Sequence, residues 1–154
     1  MATVKETVRL NTTPDKVWLF VIEPEKLMQW RTDIKKFEMI DKGHPEVGKR
    51  FYIEKEVRGE PRRFDSTIVQ LEENRRFAFE AEATGFAKVS AVYEIIPEGG
   101  RCKFIINETV DVLTMKFLKS FFDRVFIQRG LAKTIRGFLD NLKDIIEDSR
   151  GKFL

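Results

Sequence analysis

Residues 88–110, KVSAVYEIIPEGGRCKFIINETV, decide the fold. On the first arm Val89, Ala91, Tyr93 and Ile95 alternate with Lys88, Ser90 and Glu94; on the second, Cys102, Phe104, Ile106, Glu108 and Val110 occupy every other position. A period of two places each set on one face of a strand. Pro97-Glu98-Gly99-Gly100 between the arms has the composition of a tight turn. The stretch therefore reads as an antiparallel hairpin with one apolar and one wet face.

The same period extends upstream. Phe77, Phe79 and Ala81 oppose Arg76, Glu80 and Glu82, and Phe51, Ile53 and Val57 oppose Tyr52, Glu54, Glu56 and Arg58. Gly59-Glu60-Pro61 and Glu72-Glu73-Asn74 read as turns, and Lys42 to Gly48 as a loop. Between residues 64 and 71 apolar side chains fall on both parities, Phe64 and Ile68 against Val69 and Leu71, which leaves the register open. Phe37, Met39 and Ile40 suit a further strand, and Val4, Glu6, Val8 and Leu10 a first one. Between these two, Thr13 is placed to cap a short helix with Pro14 at its first position. Pro24 ends that helix, and a second short one follows to Trp30.

Such a sheet needs a cover for its apolar face. Leu118, Phe121, Phe122, Val125, Leu131, Ile135, Phe138, Leu139, Leu142, Ile145 and Ile146 recur at helical spacing and supply it. As one straight helix, residues 114–148 would span about 50 Å. A domain of this size has a radius of gyration of about 15 Å, so a kink or break near Gly130 is expected. The part before Gly130 is too apolar for a simple stripe, from Met115 and Phe117 to Phe126 and Ile127. It would form the lid of a pocket, or pack on a partner or a second copy.

The bulk numbers agree with one α+β domain over residues 1–154. Its 154 residues suit a single core, and 42% apolar with 34% charged residues is a globular composition. The 14 phenylalanines either fill that core or line a cavity. The net charge of +3 comes from 28 basic and 25 acidic residues, interspersed rather than clustered, which argues against nucleic acid as a partner. Cys102 is the only cysteine, so no intrachain disulfide is possible. Residues 1–6 carry no signal-like apolar run, and no stretch approaches the roughly 18 apolar residues of a membrane span. These features predict a cytoplasmic protein without a transmembrane segment.

Catalytic motifs are scarce. His44, the one histidine, sits in a Gly/Pro loop without a Ser, Cys or acidic partner at motif spacing, and reads as a surface residue. One His and one Cys make no metal cluster of usual spacing, and Gly99-Gly100 lacks the strand–glycine–helix context of a phosphate cradle. No cofactor or metal is expected. Cys102 shares a face with Phe104 and reads as buried and inert. Trp18 and Trp30 either anchor the short helices or line a ligand entrance. Three polar residues fall on inward faces: Lys55 between Ile53 and Val57, Tyr93 between Ala91 and Ile95, and Glu108 between Ile106 and Val110. Buried charges are uncommon unless paired. Either the strands emerge into water at Lys55 and Glu108, or these side chains line a cavity and hold the polar part of a ligand.

The order of strand, two short helices, about six strands and a long helix resembles the START-related helix-grip superfamily (SRPBCC). So do Thr13-Pro14-Asp15-Lys16-Val17-Trp18 and Pro24-Glu25-Lys26-Leu27-Met28-Gln29-Trp30. Val47-Gly48-Lys49-Arg50-Phe51, Glu72 to Phe79, and Leu139 to Glu147 are similar to its polyketide cyclase/dehydrase and lipid-transport branch. The resemblance covers nearly the whole chain. It implies a curved antiparallel sheet of six to seven strands wrapped around a long C-terminal helix, with a cavity between them. In the heat-shock ATPase activator branch a Trp-rich stretch often follows the second helix. Here Trp30 is followed by Arg31-Thr32-Asp33, so a co-chaperone role loses weight.

Three functions follow as expectations. The first is non-catalytic binding or transport of a hydrophobic small molecule, by a monomer or weak homodimer. Its binding positions would be Phe51, Ile53, Lys55, Phe77 and Phe79 on the early strands. Val89, Ala91, Tyr93, Phe104, Ile106 and Glu108 would follow on the quoted hairpin, and Phe121, Phe122 and Val125 at the start of the helical segment. The second is a cyclase or dehydratase using Lys55, Tyr93 and Glu108 as its acid and base groups. The third is a protein-interaction or co-chaperone domain using the apolar segment 115–127.

Overall fold

The computed structural model describes residues 1–57, 59–113 and 121–151, with backbone alone for 121–124 and 149–151. The elements run β1 (Ala2–Leu10), α1 (Pro14–Ile22), α2 (Pro24–Trp30), β2 (Ile34–Met39), β3 (Arg50–Val57), β4 (Glu60–Glu72), β5 (Arg76–Ala83), β6 (Ala87–Glu98), β7 (Arg101–Val112) and α3 (Phe121–Gly151). All strand pairs are antiparallel, in the order β1-β7-β6-β5-β4-β3-β2. Strands β2 to β7 form a meander of successive hairpins. β1 joins at the far edge, where Ala2 to Leu10 face Val110 to Cys102 residue for residue.

The quoted hairpin forms as its alternation predicts. Ile95 faces Phe104 and Tyr93 faces Ile106 across the β6–β7 ladder, all four buried. Gly99 and Gly100 close it, both at positive φ, which glycine adopts without steric penalty. The mixed parity of residues 64–71 has a physical cause. β4 is one continuous strand whose register shifts between Ile68 and Gln70. Such an extra residue swaps the faces that follow it. Phe64, Ser66 and Ile68 point inward before the shift, and Val69 is exposed. A similar irregularity between Ile34 and Lys36 lets Ile34 and Phe37, of opposite parity, both contribute to the interior.

Two expectations need correction. The turn expected at Gly59-Glu60-Pro61 is shorter, since Glu60 and Pro61 already pair with Val57 and Glu56. Proline is tolerated there because it lies at the very start of its strand. Of the kink or break expected near Gly130, the break does not occur: α3 is a single helix from Phe121 to Gly151, about 46 Å along its path at 1.5 Å per residue. A mid-helix glycine costs only about 1 kcal/mol relative to alanine because its N–H still donates. The buried stripe of Ile135, Phe138, Leu139, Leu142 and Ile146 offsets that amount several times over.

The helix lies along the concave face. Gln128 donates from Nε2 to the Thr3 carbonyl at 2.9 Å, Arg136 meets Glu6 at 3.6 Å, and Asn141 donates to the Trp30 carbonyl at 3.4 Å. Its early part is less covered: Val125 and Ile127 are half-buried, and Phe126 is 79% exposed. Most of the apolar segment 115–127 lies outside the described side chains. Among the described residues, no helix is long and apolar enough to cross a membrane.

Candidate functional site

The interior divides in two. Toward β2 and β5 the phenylalanines pack on one another. Phe37 stacks on Phe51 at 4.9 Å between ring centroids, Phe51 and Phe77 each lie 5.6 Å from Phe79, and Phe79 meets Tyr93 edge-on at 5.9 Å. These separations are those of contacting aromatic pairs. The space left among them is about 20 Å³, enough for about one water. Toward the β6 start and β7 end the side chains shrink to Val57, Ala87, Val89, Val110 and Val112, and a cavity of about 250 Å³ opens beneath α3. Phe86, Ile127 and Leu131 line its half-buried outer part, and Ile135 and Phe138 form its helical wall.

Both spaces meet at one polar cluster, sharing Arg31, Lys55 and Glu108 in their walls. Arg31 lies at the C-terminal end of α2 and is 3% exposed. Its Nε and Nη2 donate to the two carboxylate oxygens of Asp33 at 3.1 and 3.0 Å, and its Nη1 donates to the Tyr93 hydroxyl at 2.5 Å. Phe138 of α3 covers it, with the guanidinium carbon 4.7 Å from the ring centroid. Burial works against the Arg31 charge, but Tyr93 and the Asp33 and Glu108 carboxylates outweigh it and keep the guanidinium protonated at any ordinary pH. Burial opposes the Asp33 charge as well. The adjoining guanidinium prevails and holds that carboxyl below its usual range.

Lys55 and Glu108 are placed differently. Glu108 is 3% exposed, and Lys55 is half-buried with its remaining surface on the cavity. The Lys55 ammonium stands 4.6 Å from the ring centroid of Phe64. Among the described residues, neither side chain makes a hydrogen bond or an ion pair within 4.0 Å. Burial pushes the Lys55 pKa down; Glu108 and Asp33 offset this only in part, and Arg31 adds to it. Burial likewise pushes the Tyr93 phenol up to about 12. Its oxygen accepts from Arg31, so its own proton is free to donate.

The sequence-derived positions divide between these surroundings. Lys55, Val89 and Glu108 line both spaces, while Phe51, Ile53, Phe77, Phe79 and Tyr93 line the small one. Ala91, Phe104 and Ile106 are at most 1% exposed and belong to the packed core outside both linings. Val125 is half-buried outside both linings, and the Phe121 and Phe122 side chains lie outside the described residues. Trp30 anchors α2: its indole donates to the Phe20 carbonyl at 2.9 Å, and its ring meets Tyr93 and Phe104. Cys102 is fully buried, its thiol pushed up to about 11 by burial. The sequence reading missed Arg31 and Asp33 as site residues. They follow a helix end, where no period assigns a face; their only signal was a charged pair directly after a buried tryptophan.

Sheet, gripped helix and cavity together define a START-like helix-grip protein. The chain belongs to the polyketide cyclase/dehydrase and lipid transport family, whose model matches residues 1–147. No curated protein matches it by sequence. Among solved structures, a START superfamily protein from Mycobacterium smegmatis superposes with a TM-score of 0.78 at 18% identity, over 96% of this chain and 99% of that one. A protein from Thermus thermophilus gives 0.75 at 16% identity, over 96% and 98%. The di-domain ARO/CYC protein BexL of the BE-7585A biosynthetic pathway gives 0.73 at 18% identity, over 96% of this chain and 47% of that one. At these identities the likeness establishes the fold.

Proposed function

We propose that this chain binds and carries a hydrophobic small molecule of lipid, isoprenoid or polyketide-like type, held between α3 and the sheet without being altered. The observation that carries this reading is an apolar cavity of about 250 Å³ ending at the polar side chains of Lys55 and Glu108. That volume lies near the lower end of ligand pockets, which run from about 300 to 1,000 Å³. It suits a medium chain or one to two fused rings. Burying about 300 Å² of apolar ligand surface would gain roughly 7 kcal/mol before association costs.

The closed end sets the chemistry of the ligand's head. Lys55 offers N–H donors and Glu108 two acceptor oxygens, whereas Arg31 is occupied by Asp33 and Tyr93. Two basic and two acidic side chains meet there, so the cluster offers no formal surplus of either sign to an ionised head. A hydroxyl or carbonyl fits it better than a carboxylate. The test is displacement of a cavity-bound fluorescent lipophile by decanol, decanoate and decylamine. Decanol is expected to compete best, and Val110→Trp, which fills the cavity, to abolish binding. Absence of saturable binding by any of these probes would refute the reading.

A second reading, a cyclase or dehydratase acting on a polyketide-like substrate, is favoured by one observation: Lys55, Tyr93 and Glu108 border the same small space. It requires product formation from an aromatic β-polyketone that Lys55→Met and Glu108→Gln both abolish.

A further inference from the structure

We propose that Lys55 captures apolar aldehydes and ketones covalently, as a reversible imine, making the cavity a carbonyl-binding site and not only a hydrophobic one. This rests on the reading of the cavity as a ligand site and adds a bond to it. Within the cluster, the two basic side chains are in opposite situations. The Arg31 guanidinium is bound on both edges, by Asp33 and by Tyr93, and covered by Phe138. The Lys55 amine faces the ring of Phe64 and the cavity, and no protein acceptor holds it among the described residues. A lysine becomes a carbonyl nucleophile when apolar surroundings or a neighbouring cation favour its free amine. Lys55 has both, and its pKa is lowered accordingly.

Glu108 supplies the other half of the chemistry. β3 and β7 are separated in the sheet by three strands, yet both line this cavity. The curvature therefore sets Glu108 across the space from Lys55. One proton passes from the Lys55 ammonium to the Glu108 carboxylate through water in the cavity, and the free amine adds to the carbonyl carbon, forming a C–N bond as the C=O π pair moves to oxygen. That oxygen takes the proton left on nitrogen, giving a neutral carbinolamine. Glu108 then protonates the hydroxyl, which leaves as water as the nitrogen lone pair closes the C=N bond. The product is a protonated imine facing a Glu108 carboxylate, with no oxidant or reductant required. Hydrolysis reverses each step and releases the ligand.

The experiment incubates the full chain with limiting decanal and sodium cyanoborohydride, which converts an imine into a stable secondary amine, and maps the adducts by peptide mass spectrometry. Modification is expected at Lys55, about tenfold or more above any surface lysine because the cavity concentrates and orients the aldehyde. It should saturate, be competed by decanol, and be lost in Lys55→Arg, which keeps the charge but forms no stable imine. Decanol binding measured on the same protein separates the two claims. Adducts scattered over surface lysines with Lys55 unmodified, while decanol still binds, would overturn covalent capture and leave the carrier reading standing. Loss of both adduct and decanol binding would overturn both.

Discussion

Arg31 ties three parts of the chain together: the end of α2, Tyr93 on β6 and Phe138 on α3. Removing one partner of a buried pair leaves the other uncompensated, at a cost of roughly 3–5 kcal/mol. Arg31→Met should therefore lower unfolding free energy by about 3 kcal/mol, measured by urea denaturation, because Asp33 and Tyr93 both lose their donor. The acid limb of stability belongs to Asp33. Its folded pKa lies below the unfolded value of about 4. Its contribution is thus complete above that value and is lost as pH falls through the lowered one. Asp33→Asn should be less stable than the parent at neutral pH, with a smaller further loss between pH 4 and the acid transition; an unchanged acid limb would reject this assignment. Lys55 and Glu108 were legible in the sequence because strand parity assigns each a face. A cavity between sheet and helix was expected, but where it opens was not legible, since that is set by the convergence of β3, β7 and α3. Arg31 and Asp33 were invisible as site residues because neither a helix period nor a strand period reaches them.

Among the elements, α3 was the least well read. Its buried stripe follows the sequence pattern from Ile135 to Ile146, whereas a break, one of the two alternatives expected near Gly130, does not occur. The expectation weighed helix length against domain radius, yet the early part of α3 is only partly covered and need not fit within that radius. Gly130 and Gly137 are both exposed, and an added Cβ at either meets nothing within 4 Å. Gly130→Ala and Gly137→Ala should each stabilise by about 0.5–1 kcal/mol, by restricting the unfolded chain without disturbing the folded one. Equilibrium denaturation of the two single variants and the double checks this, and distant sites should add. β4 teaches the converse lesson. Its mixed parity looked like missing information, but the irregularity after Ile68 was written there, and only pairing with β5 made it readable.

For the molecule as a whole, the alternative posed by its phenylalanines resolves into both answers, a packed aromatic half and an open half. The cavity of about 250 Å³ leaves the side chains that line it without packing partners on one side. Filling it should accordingly raise the midpoint of thermal unfolding in Val110→Trp, in the same variant that loses ligand binding. The β1–β7 seam has a further consequence for how the chain is made. Ala2 to Leu10 leave the ribosome ahead of every other strand, but their ladder partners are Cys102 to Val110. At roughly 5–20 residues per second the first strand waits about 5–20 s for its place. During that interval Val4 and Leu10, buried in the finished protein, have no ladder to join, and the last hairpin synthesised is the one that receives them.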